Sequence, residues 1–562
     1  MKKIKLFLVF VIVLVFLMNP ISGSSTNVVK SNNTHDSLIN SFSVYYDNSV
    51  KAYSRYPSSN QFLAYDNLLS SITLMQQYER TQISTLKDAS LNSLEFVRKY
   101  LSNPYISEKR GVVSWYDDNL RDLSYPKSPR YAKDQLLFIY ALSQAEKITD
   151  SPSLSRTYNE LANKTWNYLN ERFYDSTNGG WYSHLLLSDE TEQIDPTKRT
   201  FDLSLMSYFF SFMDLSFIDV SDTQIDFQLK NTLDFLRNNL VNSETKAITS
   251  FSNKDGSLTS SNYFARENGM YGLANLLYYN NSNEHDVIYL NQAKNVWTFM
   301  NDEMWDFGFN GLFSGTDGNV PIIAGKGLED QVQYALLSLF LWGIDETNPR
   351  YLDKYLETDA FIKEYLFEEN SGRFYGSTDR FGKPSPFGQA ISNIWGWNYF
   401  LNSPQIVSVT YNDQPTIGLD TEVTFQIFSP VLLEFDLEIE PLSNKIFKSY
   451  SEKITVNGLT KVVVNLPYVE NPQASYNELY ARLRLQNTTI ASINWFVDIL
   501  PNTRIPSGFI YLVGAGVVFL IFIIIRKPPE WLKSQVKSVQ VRYNSYTNDL
   551  TEKIESDVDE EQ

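Results

Sequence analysis

Cysteine is absent from the 562 residues. That absence excludes disulfides, thiolate zinc sites and cysteine nucleophiles together, so stability has to come from packing. Histidine is nearly absent as well: His35, His184 and His285 are scattered along the chain, which argues against a histidine metal site. Basic charge is in deficit, with 48 Lys and Arg against 65 Asp and Glu and a formal net charge of −17. Nucleic acid needs a basic field, so it is not expected as a partner; the acidic surplus serves solubility and repels anions. No cofactor and no metal is expected. What the chain does hold is 43% apolar and 15% aromatic content, enough for large cores and far from a disordered composition.

One stretch recurs. Tyr131–Lys147 opens with Lys-Asp-Gln and continues as an apolar run at helical spacing, with Leu136, Phe138, Ile139 and Leu142 on it. Comparable openings are Asp66-Asn67, Phe201-Asp202, Glu267-Asn268, Asp330-Gln331 and Gly388-Gln389. The positions Asp66, Asp134, Asp202, Glu267, Asp330 and Gln389 lie 68, 68, 65, 63 and 59 residues apart. So regular a period fits two helices per unit, and six units predict a closed ring. A second helical segment follows each of the first five: Leu86–Leu101, Leu154–Phe173, Ile225–Leu240, Tyr289–Trp305 and Tyr351–Phe367. An amphipathic helix over Ser37–Tyr53 is expected to close the ring from outside. Turns such as Asn178-Gly179-Gly180-Trp181, Asn310-Gly311-Leu312-Phe313 and Ser371-Gly372-Arg373-Phe374 supply positive φ between short extended pieces.

From Pro404 the period changes from 3.6 to 2. Runs such as Glu422–Phe428, Leu433–Ile439 and Lys461–Leu466 alternate apolar with polar residues and predict six or seven strands, a small sandwich of immunoglobulin-like size. At the N-terminus, Lys2, Lys3 and Lys5 precede an apolar run and Ser22-Gly23-Ser24-Ser25, the layout of a secretory signal. Near the other end Gly508–Ile525 carries no charge, is long enough to span hydrocarbon, and is followed by Arg526 and Lys527. The expected organisation is a signal peptide (1–25), a helical domain (26–403), a β-sandwich (404–500), a transmembrane helix (507–526) and a cytoplasmic tail (527–562). The expected location is the cell membrane, single-pass type I, with the large N-terminal part extracellular and the lipid bilayer as a partner.

In a ring of helical hairpins the starts of the inner helices converge on one funnel, and five of the six marked positions are carboxylates. Two carboxylates, one held protonated and one ionised, are what glycosidic cleavage needs. Asp134 and Asp330 lead as candidates, with Glu267 and Asp202 behind them. Carboxylates at helix starts also cap exposed N–H groups, which is the competing structural role. Trp181, Tyr182, Phe313, Tyr375, Trp395 and Trp397 are the candidate sugar platforms, although such rings more often belong to a core.

The units Tyr65-Asp66-Asn67, Gly179-Gly180-Trp181 and Leu328-Glu329-Asp330-Gln331 resemble the six-hairpin glycosidase superfamily, in particular its N-acylglucosamine 2-epimerase-like and thioredoxin-associated branches, over roughly residues 55–400. The resemblance implies an (α/α)6 toroid with a sugar in its funnel. Its epimerases carry Glu-Pro-Gly-His on an inner helix; the matching Glu267-Asn268-Gly269-Met270 keeps the acid and glycine and lacks the histidine. Proton transfer at a sugar carbon by a histidine pair is therefore disfavoured. The expectation is a surface-anchored, mainly α carbohydrate-active protein of glycoside hydrolase type. A non-catalytic glycan-binding or adhesion receptor is the alternative, and a sugar epimerase or isomerase the second.

Overall fold

The computed structural model describes residues 26–30, 38, 41–102, 111–117, 129–188, 191–211, 213, 218, 220–258, 262–282, 284–385, 388–412, 420–442, 447–469 and 476–498. The expected signal peptide (1–25), transmembrane helix (507–526) and tail (527–562) lie outside them. Among the described residues no helix is long and apolar enough to cross a membrane.

Among the described residues eleven helices build the ring. The inner set is α1 (Ala64–Thr81), α3 (Ala132–Ile148), α5 (Thr200–Phe210), α7 (Ala265–Asn281), α9 (Leu328–Ile344) and α11 (Ala390–Asn402). The outer set is α2 (Ser84–Phe96), α4 (Pro152–Phe173), α6 (Asp222–Asn239), α8 (Val287–Phe299) and α10 (Pro349–Phe361). Each inner helix touches the next, and α11 touches α1, so the ring is closed. This arrangement explains their composition. An inner helix is covered on nearly all sides, as in α3, where Leu136 to Ala145 are all buried, whereas α4 buries only one face. Four of these five outer helices start on side-chain caps: Ser151, Ser221, Asp286 and Asn348 accept from backbone N–H groups of the first turn, while α2 follows Ile83 and has none. Three of them, α2, α8 and α10, end in a π turn.

The sixth outer position departs from expectation in its second half. Leu38 and residues 41–43 are helical, residues 37, 39 and 40 lie outside the described residues, and from Tyr46 the chain forms a short hairpin pairing Tyr46–Asp47 with Ala52–Tyr53 instead of continuing as helix. It still closes the ring: Trp397 Nε1 on α11 donates to Ser41 Oγ at 2.7 Å, and Asn393 Nδ2 donates to the Tyr45 hydroxyl at 3.0 Å. The turns after the outer helices have the positive φ their sequences imply, at Gly179, Gly180, Asn310, Gly311 and Gly372.

The C-terminal region is β-rich, with strands β2 (Gln405–Asn412), β3 (Thr421–Pro441), β4 (Tyr450–Leu466), β5 (Tyr476–Leu485) and β6 (Thr488–Asp498), joined by β1 (Thr26–Lys30) from the other end of the chain. They form one antiparallel sheet in the order β1-β2-β3-β5-β6, with β4 also paired to β3. Among the described residues these strands are hydrogen-bonded into one sheet, and the two separate sheets of an immunoglobulin-like sandwich are not seen. The two alternating runs expected as separate strands are one long strand, β3, whose register shifts between Ser429 and Leu433. Pro430 lies in that interval and has no N–H to give the ladder. The sheet curls until β2 meets β6, where Tyr411 donates to the Phe496 carbonyl at 2.7 Å.

Candidate functional site

The starts of the inner helices open on a funnel of three adjoining lobes. Residues before each helix are extended, at Leu63, Tyr131, Arg199, Phe264, Gly327 and Gln389, and none of them caps the helix with its side chain. The acids Asp66, Asp134, Asp202, Glu267 and Asp330 all stand third in their helices, in the first turn. Gln389 does not belong to this series. It precedes α11, so the third residue there is Ser392.

The central lobe, about 660 Å³, is lined by Asp66, Asp195, Asp202, Glu267 and Glu329 together with Arg55, Lys133, Arg199 and Arg266. A second lobe of about 450 Å³ shares Phe264, Arg266, Glu267, Glu329, Gln389 and Ile391 with it and adds Asp330 and Trp395. A third, about 330 Å³, shares Leu63, Tyr65, Lys133 and Arg199 and adds Asp134. Asp134 and Asp330, the leading pair from the sequence, thus open on different lobes. Glu267 and Glu329 face both the central and the second.

Ion pairs divide the acids into two environments. Lys133 Nζ donates to Asp202 Oδ1 at 2.7 Å and stands over the rings of Tyr65, Tyr131 and Phe201 at 4.9, 5.2 and 5.7 Å. Burial pulls its pKa down, but Asp202 and Asp134 outweigh burial and hold it above the ordinary value. Arg266 Nη2 donates to Glu267 Oε1 at 3.1 Å, its Nη1 lies 4.0 Å from Glu329, and its guanidinium lies 4.7 Å from the Phe201 ring. Burial instead pushes Asp66, Asp134, Glu329 and Asp330 each up to about 7. Arg55 partly offsets it at Asp66, Lys133 at Asp134 and Arg266 at Glu329. Asp330 is anchored by a hydrogen bond from Ser314 Oγ, which in turn accepts from Gly327 N at 3.0 Å; a side chain at Gly327 would collide with the Asp330 carboxylate.

The rings proposed as platforms are mostly elsewhere. Trp395 lines the second lobe. Trp181 is buried and stacks on Phe210 at 5.4 Å, and Trp397 is buried against Ser41. Phe313 is buried between Lys326 and Arg380, Tyr182 lies 5.6 Å from Lys198, and Tyr375 donates to Glu368. The rings that do line the funnel include Tyr65, Phe201, Phe251 and Phe264. Their sequence signal was position, within two residues of an inner helix start or on the strand paired to one. Histidine is absent from the lobe linings. His184 is buried behind Tyr131 with Nε2 3.0 Å from Asp195, and burial, only partly opposed by that carboxylate, lowers its pKa. His285 is exposed beside Tyr279, and His35 lies outside the described residues. Among the described residues no cluster of ligating side chains fits a metal ion.

No protein-family model matches the chain, and no curated protein does. Solved structures do. A D-mannose isomerase superposes with a TM-score of 0.57 at 14% identity, over 66% of this chain and 96% of its own. A sugar epimerase from a ruminal bacterium gives 0.56 at 12% identity, over 66% and 97%. The cellobiose 2-epimerase of Bacillus thermoamylovorans gives 0.54 at 11% identity, over the same shares. Identities this low speak for fold alone, and with a closed ring of helical hairpins the chain has the (α/α)6 toroid fold of these structures.

Proposed function

We propose that the funnel is the active site of a carbohydrate-active enzyme that hydrolyses glycosidic bonds with Glu329 and Glu267. The observation that carries this reading is that two carboxyl groups facing the same two lobes share Arg266 unequally: it donates a hydrogen bond to Glu267 and stands 4.0 Å from Glu329. Glu329, raised to about 7 by burial, keeps a proton near neutrality, while Glu267 is paired with the Arg266 guanidinium. Glu329 gives its proton to the leaving glycosidic oxygen. Glu267 acts on the anomeric carbon directly or by deprotonating water, so that water is added across the broken bond. Phe201, Phe264 and Trp395 offer apolar faces to the sugar's C–H side. The fold neighbours named for sugar isomerisation and epimerisation support a sugar ligand, and the histidine-free lobe linings favour hydrolysis over proton transfer by histidine.

The test is release of reducing sugar across a panel of glycans by the wild type, Glu329→Gln and Glu267→Gln. Each substitution is expected to lower turnover on the order of 10²–10⁴-fold. Glycan binding without turnover by the wild type would instead establish a receptor. Epimerised product, lost in His184→Ala, would establish the epimerase. We further propose a cell-surface location with the ring outside, supported by the apolar stretches at 6–18 and 508–525 and the positive charge that follows the second. Protease added to intact cells should digest the ring and spare the C-terminal tail; protection of the ring would reverse the assignment.

A further inference from the structure

The described residues give the central lobe four cations, and they are not equivalent. Lys133 and Arg266 are matched to carboxylates, as described. Among the described residues, Arg55 and Arg199 have no carboxylate within ion-pairing distance. Arg55 Nε is buried without a hydrogen-bond partner. Both residues are fixed through their backbones. Arg55 N donates to the Gln61 carbonyl at 2.8 Å and its own carbonyl accepts from Ala390 N at 3.0 Å, which sets it at the seam between the first and last inner helices. Arg199 N donates to Ser183 Oγ at 2.7 Å, and Arg199 pairs with Phe251 in a two-stranded sheet immediately before α5.

We propose that the central lobe takes a sugar carrying an anionic substituent, held by Arg55 and Arg199. The inference rests on the funnel being a sugar site. A guanidinium offers a planar fork that fits carboxylate and sulfate oxygens in pairs. The inner helices present first-turn N–H groups that no preceding side chain caps, and the dipoles add positive potential there. Raised pKa values at Asp66 and Glu329 lower the opposing negative charge below neutral pH. The net charge of −17 repels anions at long range. Salt screens that field beyond about 8 Å at physiological ionic strength, while contacts inside the lobe act at hydrogen-bond distance. Local cations therefore decide what is bound once a ligand has entered.

Calorimetric binding to the full-length protein, with three oligosaccharides matched in length and linkage, tests this: one neutral, one with uronate carboxylates and one sulfated. An anionic ligand is expected to bind at least about tenfold more tightly than the neutral one, the scale of one charge-assisted hydrogen bond pair. Comparing the uronate and sulfated arms identifies the substituent. Arg55→Gln and Arg199→Gln, with folding checked by thermal melting, should each bring the ratio of anionic to neutral affinity towards one. Equal or tighter binding of the neutral sugar by the wild type overturns the anionic assignment and leaves the sugar site standing. Failure of all three ligands to bind overturns both.

Discussion

A carboxylate in the third position of an inner helix faces two demands at once: it stands near the positive end of a helix, and it is almost entirely removed from water. Asp66 shows which wins. It is 1% exposed, its Oδ2 has no hydrogen-bond partner, and burial raises it to about 7 in spite of Arg55. The folded state therefore holds protons that the unfolded chain, with carboxylates near 4, releases. Between about pH 4 and 7 the native state binds more protons, so stability falls as pH rises through that window and levels off above it. Acids held low by hydrogen bonds and lysine, such as Asp175 at about 2, act with the opposite sign at lower pH. Thermal unfolding followed from pH 4 to 8 should show the decline, and Asp66→Asn should flatten it by removing one of the four raised groups. A melting temperature that rises steadily from pH 4 to 8 would contradict the buried-acid picture. These acids were visible in the sequence because their spacing repeats. Their pairing was not, because Lys133, Arg266 and Glu329 sit one residue before a marked acid and look like ordinary flanking charge.

At the scale of the element, the residue after each marked acid proves to be the more regular part of the repeat. Gln135 Oε1 accepts from Val112 N at 2.6 Å while its Nε2 donates to Val112 O at 2.7 Å. Asn268 does the same with Ile248 at 2.9 and 3.1 Å, and Gln331 with Leu312 at 2.8 and 2.9 Å. Asn67 clamps Tyr53 from both sides, and Asn393 accepts from Phe374 N. Only α5 lacks the clamp, with Leu203 in its place. Each amide satisfies a turn that would otherwise bury bare backbone, and so ties an outer hairpin to an inner helix. Gln331→Leu imports the α5 solution where the turn expects an amide, leaving the Leu312 N–H and C=O unpaired. The expected cost is about 2–4 kcal/mol in urea unfolding; a loss under ~0.5 kcal/mol would show that the clamp is incidental. The sequence displayed the Asp-Asn, Asp-Gln and Glu-Asn pairs openly. Reading the period from the acid alone placed the sixth mark on Gln389, three residues early, where the amide at Asn393 keeps the true register. The ring itself was legible because helical periodicity and a long repeat are both one-dimensional signals. The long β3 was not, since an alternating pattern on either side of Pro430 reads as two strands until the register on β4 is known.

At the scale of the whole molecule, ring and sheet are joined with almost no connecting chain. α11 ends at Asn402 and β2 begins at Gln405, whose Nε2 reaches back to the Phe400 and Leu401 carbonyls at 2.9 and 3.1 Å. Arg80, at the end of α1, donates to that same Leu401 carbonyl and lays its guanidinium 3.9 Å from the Phe428 ring centre on β3. Lys363 donates to the Ile490 carbonyl in β6 at 3.1 Å, and Val431 of β3 packs against Gly343 of α9, where an added Cβ would meet it at 2.7 Å. The sheet is therefore keyed to α1, α9 and the end of α10 at once, while β1 brings the N-terminal side of the chain into it. Arg80→Ala removes a hydrogen bond to a shared carbonyl and a cation–π contact, a loss of about 1–2 kcal/mol. If the junction is one cooperative element, amide exchange should speed up on both sides of it, in α11 as well as in β2, by about 5–30-fold for such a loss. The check is hydrogen exchange by mass spectrometry on peptides covering 390–402 and 405–412. Faster exchange confined to 405–412, with 390–402 unchanged, would mean that the sheet opens without the ring and that the contacts at Arg80 couple nothing.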